Sequence, residues 1–368
     1  YIKWNDQYKK ACKLIYGKDA KLNDFKEAEQ LLLSESQRGN VLAVYDLGKL
    51  YSTDKLGERN EETSIAKYTR ALQGFLQIEP NSKKLKPYVQ YRIGKMFCYG
   101  LGTEQDYEKA FEWFERSAKQ KNKFAQFSLA NLYYYGSGVE KDLSQAFLWY
   151  QRSSSQGQPY AAYSIAQMYR YGEYVTKDND TAQRYYKQAL SGFLKIESDD
   201  MANDDLFYKL GQMFNLGLGT DSDVTKAIEY FRRSAEMNNK NGLFEYGKAL
   251  LTGEHIPQDT DSAVKLLEKA VKLKNSNAKR FLALEYISGE HLEQDFEKGI
   301  ALLTECADSG DVIASYRLGK IYLQGEIMPQ NLDKAEKYLL LAEDSEYTQY
   351  ALAKLYLQEE KYDIQKAV

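Results

Sequence analysis

Residues 90–102 read QYRIGKMFCYGLG, and the pattern returns at 126–138 (QFSLANLYYYGSG) and at 207–219 (FYKLGQMFNLGLG). Each copy has a small residue near its centre: Gly94, Ala130 and Gly211. Working outward, residues with similar flanks stand at Gly48, Ala166, Gly247, Ala283, Gly319 and Ala353. Successive anchors are 46, 36, 36, 45, 36, 36, 36 and 34 residues apart. A fixed period is the mark of an array of repeated supersecondary units. It displaces the two or three globular domains that a length of 368 residues would otherwise suggest.

Each repeat has a local logic. Five before, one before and three after the anchor the chain is apolar, as in Ala125, Leu129, Tyr133 and in Ala161, Ile165, Tyr169. Steps of four place these residues on one helical stripe. A glycine six after the anchor (Gly100, Gly136, Gly172, Gly217, Gly253, Gly289, Gly325) then ends the helix. An Asp or Asn twelve after it (Asp106, Asp142, Asp178, Asp223, Asp259, Asp295, Asn331) suits the N-cap of a second helix. That helix alternates small and large residues, such as Ala110 with Phe114 and Ala227 with Phe231. The unit is an antiparallel helical hairpin, and only stacking against its neighbours buries its stripe.

Composition excludes several function classes. Lys and Arg total 50 against 53 Asp and Glu, a net charge of -3, so direct nucleic-acid binding is not expected. Three scattered cysteines without a CxxC and two histidines leave little for zinc sites or histidine catalysis. His255 and His291 share a loop position in adjacent repeats, but at roughly 8–10 Å per helix layer they are too far apart to share a metal easily. No nucleophile elbow, phosphate loop or zincin motif occurs. The expectation is therefore no catalytic residue, no metal and no cofactor. No apolar run reaches the ~18–20 residues of a membrane-spanning helix. A start at Tyr1 and a helix-like stretch at 363–368 read as a piece of a longer chain. The cytoplasm is the expected setting, without an address that fixes it.

The recurring A-x-x-x-L-G-x-x-Y-x-x-G-x-G-x-x-x-D-x-x-x-A-x-x-W/F-x-x-x-A resembles the Sel1-like repeat, a relative of the tetratricopeptide repeat. Val89 to Asn122 is the clearest copy, with Gly94, Phe97, Gly100, Gly102, Asp106, Ala110, Trp113 and Ala118 in place. A degenerate earlier repeat is suggested by Asp24, Ala28 and Leu32. Departures are local: Asp54 stands for the helix-ending glycine, and Tyr174, His255, His291 and Ile327 stand for the second glycine. The resemblance implies an all-α, right-handed α-solenoid of about nine to ten hairpins over residues 1–368. It also implies a bacterial, non-catalytic scaffold or adaptor that binds a protein or peptide. Two alternatives are an accessory domain of a larger enzyme, such as a mobilisation relaxase, and an adaptor of the secretory pathway.

Two repeats are long, at about 43–87 and 161–204, and their extra segments are near copies. ALQGFLQIE (71–79) matches ALSGFLKIE (189–197) at an offset of 118, as if a three-repeat block had been duplicated. Each is expected to extend the second helix, either as an edge for a partner or as a change of curvature.

A candidate partner-binding surface follows from the helical wheel. Three before, one after and five after the anchor lie opposite the core stripe, the concave face of a solenoid. The first row is aromatic in eight of nine copies (Arg280 is the exception) and reads as packing between repeats. The other two supply Lys95, Asn131 and Gln167 beside Tyr99, Tyr135 and Tyr171. Tyrosines next to amide and ammonium groups suit an amphipathic groove for an extended or helical segment.

Overall fold

The computed structural model describes residues 1–16, 20–198, 203–342 and 346–358. Among them all regular secondary structure is helical. The chain divides into two compact units, residues 1–203 with 216–222 and residues 204–215 with 223–368. Residues 199–202 of the second long repeat and the 363–368 stretch lie outside the described residues.

The first unit holds α1 (Asp6–Tyr16), α2 (Leu22–Gln37), α3 (Val41–Tyr51), α4 (Glu61–Ile78), α5 (Lys86–Tyr99) and α6 (Tyr107–Lys119). It continues with α7 (Lys123–Tyr135), α8 (Leu143–Ser155), α9 (Pro159–Tyr171) and α10 (Asn179–Ser198). Helices pair as hairpins, α1 with α2, α3 with α4 and so on to α9 with α10. The N-terminal hairpin places Ala28 and Leu32 fully in the core. Asp24 sits inside α2 and accepts backward from the Lys21 amide at 2.7 Å.

Helix boundaries follow the punctuation in the sequence. Gly100, Gly136 and Gly172 adopt left-handed φ of 64°, 70° and 73° and end α5, α7 and α9. Asp106 and Asp142 cap α6 and α8 by accepting from backbone amides at 2.9–3.0 Å. The anchor is small because a ring of the second helix lies against it. A Cβ on Gly94 would stand 2.7 Å from the Phe114 ring, so hairpin closure depends on the missing methyl.

The aromatic row is a packing seam. Tyr91 lies 6.0 Å from Phe114 and 5.9 Å from Phe124 of the next hairpin, and Phe127 repeats the arrangement with Tyr150 and Tyr160. The long helices also repeat each other. Phe75 and Phe193 are fully buried, each 6.3 Å from the seam tyrosine of its own hairpin, Tyr45 or Tyr163. Gly74 and Gly192 bring these turns close to Val41 and Pro159, the first residues of α3 and α9. The inserted aromatics therefore extend the core.

Where the second glycine is kept, the loop also touches the hairpin before it. A Cβ on Gly102 would fall 2.2 Å from the Thr69 amide nitrogen, and one on Gly138 would fall 2.3 Å from the Tyr107 carbonyl carbon. In the α9–α10 loop Tyr174 occupies that place with φ 65°, its ring 5.6 Å from Phe147. A side chain cannot approach a helix backbone as glycine does. Beside it lies a cleft of 620 Å³ lined by Ser144, Gln145, Phe147, Leu148, Gln151, Tyr174 and Val175.

The second unit comprises α11 (Asp204–Leu216, all but its last residue), α12 (Val224–Glu236), α13 (Lys240–Thr252), α14 (Thr260–Lys272) and α15 (Ser276–Ser288). It ends with α16 (Phe296–Asp308), α17 (Val312–Gln324), α18 (Leu332–Leu340) and α19 (Glu346–Tyr356). The same close approaches recur: a Cβ on Gly211 would meet Phe231 at 2.5 Å, and one on Gly319 would meet Leu339 at 2.7 Å.

Candidate partner-binding face

Tyr99, Tyr135 and Tyr171 are the last residues of α5, α7 and α9, each followed by its left-handed glycine. A terminal position pointing away from the partner helix leaves the ring without cover, and the three are 62%, 71% and 62% exposed. Lys95, Asn131 and Gln167, one turn earlier, are half-buried. The Lys95 ammonium stands 6.0 Å from the Tyr99 ring centroid. Asn131 accepts from the Tyr150 hydroxyl at 2.6 Å, so its side chain is tied to the second helix of its own hairpin. Tyr135 packs edge-on against Tyr134 at 4.9 Å, and Tyr134 donates to Glu173 Oε2 at 2.5 Å. Tyr171 carries the Arg170 guanidinium at 5.6 Å.

Next to Lys95 the structure gathers residues that the repeat positions alone did not single out. Asp46 and Arg92 occupy equivalent positions on α3 and α5, one turn before Lys49 and Lys95. Arg92 lies 4.6 Å from the Tyr45 ring and 5.2 Å from the Tyr88 ring, and its Nε donates to the Tyr88 hydroxyl at 2.8 Å. Asp46 is buried and accepts from the Tyr8 hydroxyl at 2.5 Å, with the Cys12 sulfur 4.0 Å away. Burial raises the Asp46 carboxyl above the ordinary range, against the pull of Arg92 and the Tyr8 hydroxyl. Burial, with repulsion from Arg92 and Lys49, pushes the Lys95 ammonium down to about 8. The signal for this cluster was present: spacing of three puts Arg92 and Lys95 on one helix face. What the wheel could not show was Tyr8, which arrives from α1 outside the clear repeats.

The remaining chemistry is sparse. His291 Nδ1 lies 3.0 Å from Glu285 Oε2. Among the described residues no group of three or more His, Cys, Asp or Glu could hold a metal ion. None of the described helices is long and apolar enough to cross a membrane.

The Sel1 repeat model matches residues 87–122, 123–158, 159–192, 208–239, 241–275, 276–311 and 312–347, more than half of the chain. The chain belongs to the Sel1 repeat family. Among solved structures, a Sel1 repeat protein from Oxalobacter formigenes is 25% identical, with 66% of this chain and 95% of that one covered at a TM-score of 0.49. A protective antigen of uropathogenic Escherichia coli with an SLR fold is 18% identical, covering 98% and 88% at 0.37. The human IFIT1 dimer with m7Gppp-AAAA is 13% identical, covering 100% and 90% at 0.53, a likeness of fold alone. No curated protein matches the sequence. The Sel1 hairpins thus account for the repeated core.

Proposed function

We propose that this Sel1 repeat protein is a non-catalytic scaffold that binds a segment of a protein partner across α5, α7 and α9. Lys95, Tyr99, Asn131, Tyr135, Gln167 and Tyr171 form the contact face. The observation that carries the reading is the row of three exposed tyrosines at one position of three successive hairpins. Exposed aromatic rings with few rotatable bonds are favourable contact groups, because little side-chain entropy is lost on binding. A pre-folded helical support also spares the backbone ordering cost.

Recovery of partners on the immobilised chain tests this. The triple substitution Tyr99→Ala, Tyr135→Ala, Tyr171→Ala removes most of the contact area and is expected to weaken capture at least tenfold, as for a cluster of interface hot spots. Its helical circular-dichroism signal and melting should stay close to wild type, because the rings are largely exposed. Undiminished capture by a folded triple variant would remove the groove from consideration.

A further inference from the structure

One end of this face gathers cationic side chains. Lys49 and Lys95 stand at the same repeat position on α3 and α5, and Arg92 lies one turn before Lys95. The Asp46 carboxylate lies within electrostatic reach of all three, and it is buried with its Oδ2 bonded to Tyr8. Among the described residues, neither Arg92 nor Lys95 forms an ion pair within 4.0 Å of a carboxylate. The Arg92 guanidinium is held between the Tyr45 and Tyr88 rings, so its direction is fixed. A cation oriented by stacking is pre-organised for an incoming oxyanion.

On α7 and α9 the same row is uncharged. The position of Lys49 and Lys95 becomes Asn131 on α7 and Gln167 on α9, while the tyrosine row runs on from Tyr99 to Tyr171. A ligand with negative charge along its whole length, such as a nucleic acid, would find clustered cations at one end and, beyond it, the single Arg170 guanidinium beside Tyr171. A peptide that is acidic at one end and apolar or aromatic beyond it would meet complementary groups throughout.

We propose that Arg92 and Lys95 seat the side-chain carboxylates of an acidic segment of a protein partner whose continuation lies on Tyr99, Tyr135 and Tyr171. The assignment rests on the groove reading above and adds the chemistry of the bound segment. The depressed proton affinity of Lys95 agrees with it, since a bound carboxylate would relieve the repulsion among the three cations.

Selection from a random peptide library on the full chain separates the two ideas. The expected peptides carry Asp or Glu clustered toward one end and hydrophobic residues after it. A selected peptide, followed by fluorescence anisotropy, should bind Lys95→Gln roughly tenfold more weakly, the loss of one charge-assisted hydrogen bond. Lys95→Arg should retain binding, which keeps the test independent of any folding defect in the glutamine variant. Peptides that need the three tyrosines but show no acidic enrichment, or that bind Lys95→Gln as well as wild type, overturn the carboxylate assignment and leave the groove standing. A single-stranded uridine oligonucleotide that displaces the peptide more effectively than free oligoglutamate also overturns it. Failure to recover any peptide sensitive to the tyrosines overturns both readings.

Discussion

The two compact units use the same means of closing their hairpins and differ on the exposed side of their first helices. In the first, Gly94 admits Phe114; in the second, Gly319 admits Leu339, with a Cβ at either glycine falling 2.7 Å from the large side chain. Five positions later in sequence the likeness fails. Tyr99, Tyr135 and Tyr171 of the first unit correspond to Thr252, Ser288 and Gln324 of the second. Positions that fill the core tolerate little change in volume, whereas positions at the exposed end of a helix carry no packing constraint. The shared repeat is therefore written in the first kind, and the second kind is free to differ between hairpins.

The largest test of that division lies in the core. Phe114→Ala and Leu339→Ala remove buried side chains from equivalent places, and each should destabilise its unit by about 2–5 kcal/mol in denaturant unfolding. Near-wild-type stability for either variant would mean that the shared closure is not what holds that unit. Lys95 gives an intermediate effect confined to the first unit. Its proton affinity in the folded chain, near 8, lies below the ordinary 10.5, so the unfolded chain binds more protons across that interval. Wild-type stability should then rise with pH between those values. Lys95→Met should flatten the rise and stabilise the chain at neutral pH by about 1–2 kcal/mol. An unchanged pH profile would show that neither burial nor the neighbouring cations lower the proton affinity of Lys95.

The smallest effect belongs to Tyr174. Tyr174→Gly relieves a left-handed side-chain conformation worth about 1 kcal/mol and restores the residue found at Gly102 and Gly138. A thermal midpoint raised by a degree or more, with the cleft beside α8 reduced, is expected; a lowered midpoint would show that the Tyr174–Phe147 contact outweighs the strain.

Most of the fold could be read in advance because its determinants are local and repeated. Asp106 and Gly100 act on the nearest turn of backbone, so their roles are visible in one repeat and tested by the next. The seam role of Tyr91 and Phe127 was also legible, since a ring recurring at one position in eight copies needs a recurring partner. The cluster at Asp46, Arg92 and Lys95 was less so. Arg92 becomes a positioned cation only through Tyr45 and Tyr88, and Asp46 becomes buried only beneath Tyr8 of α1. Such environments arise between helices and appear once, so periodicity has nothing to average over. The inserts fall between these cases. Their matched sequences announced a longer helix, whereas the inward aim of Phe75 and Phe193 depended on their tyrosine neighbours.

The Tyr174 loop has a consequence for motion. In a stack where each hairpin touches only its neighbours, opening starts at the least adherent junction and spreads from there. Gly102 and Gly138 seat their loops directly on the preceding helix, while the loop of Tyr174 stands beside a cleft. The α9–α10 loop is therefore less closely seated on α8 than its counterparts are on their preceding helices, next to the last tyrosine of the row. A partner reaching Tyr171 would lie across that junction and act as a splint.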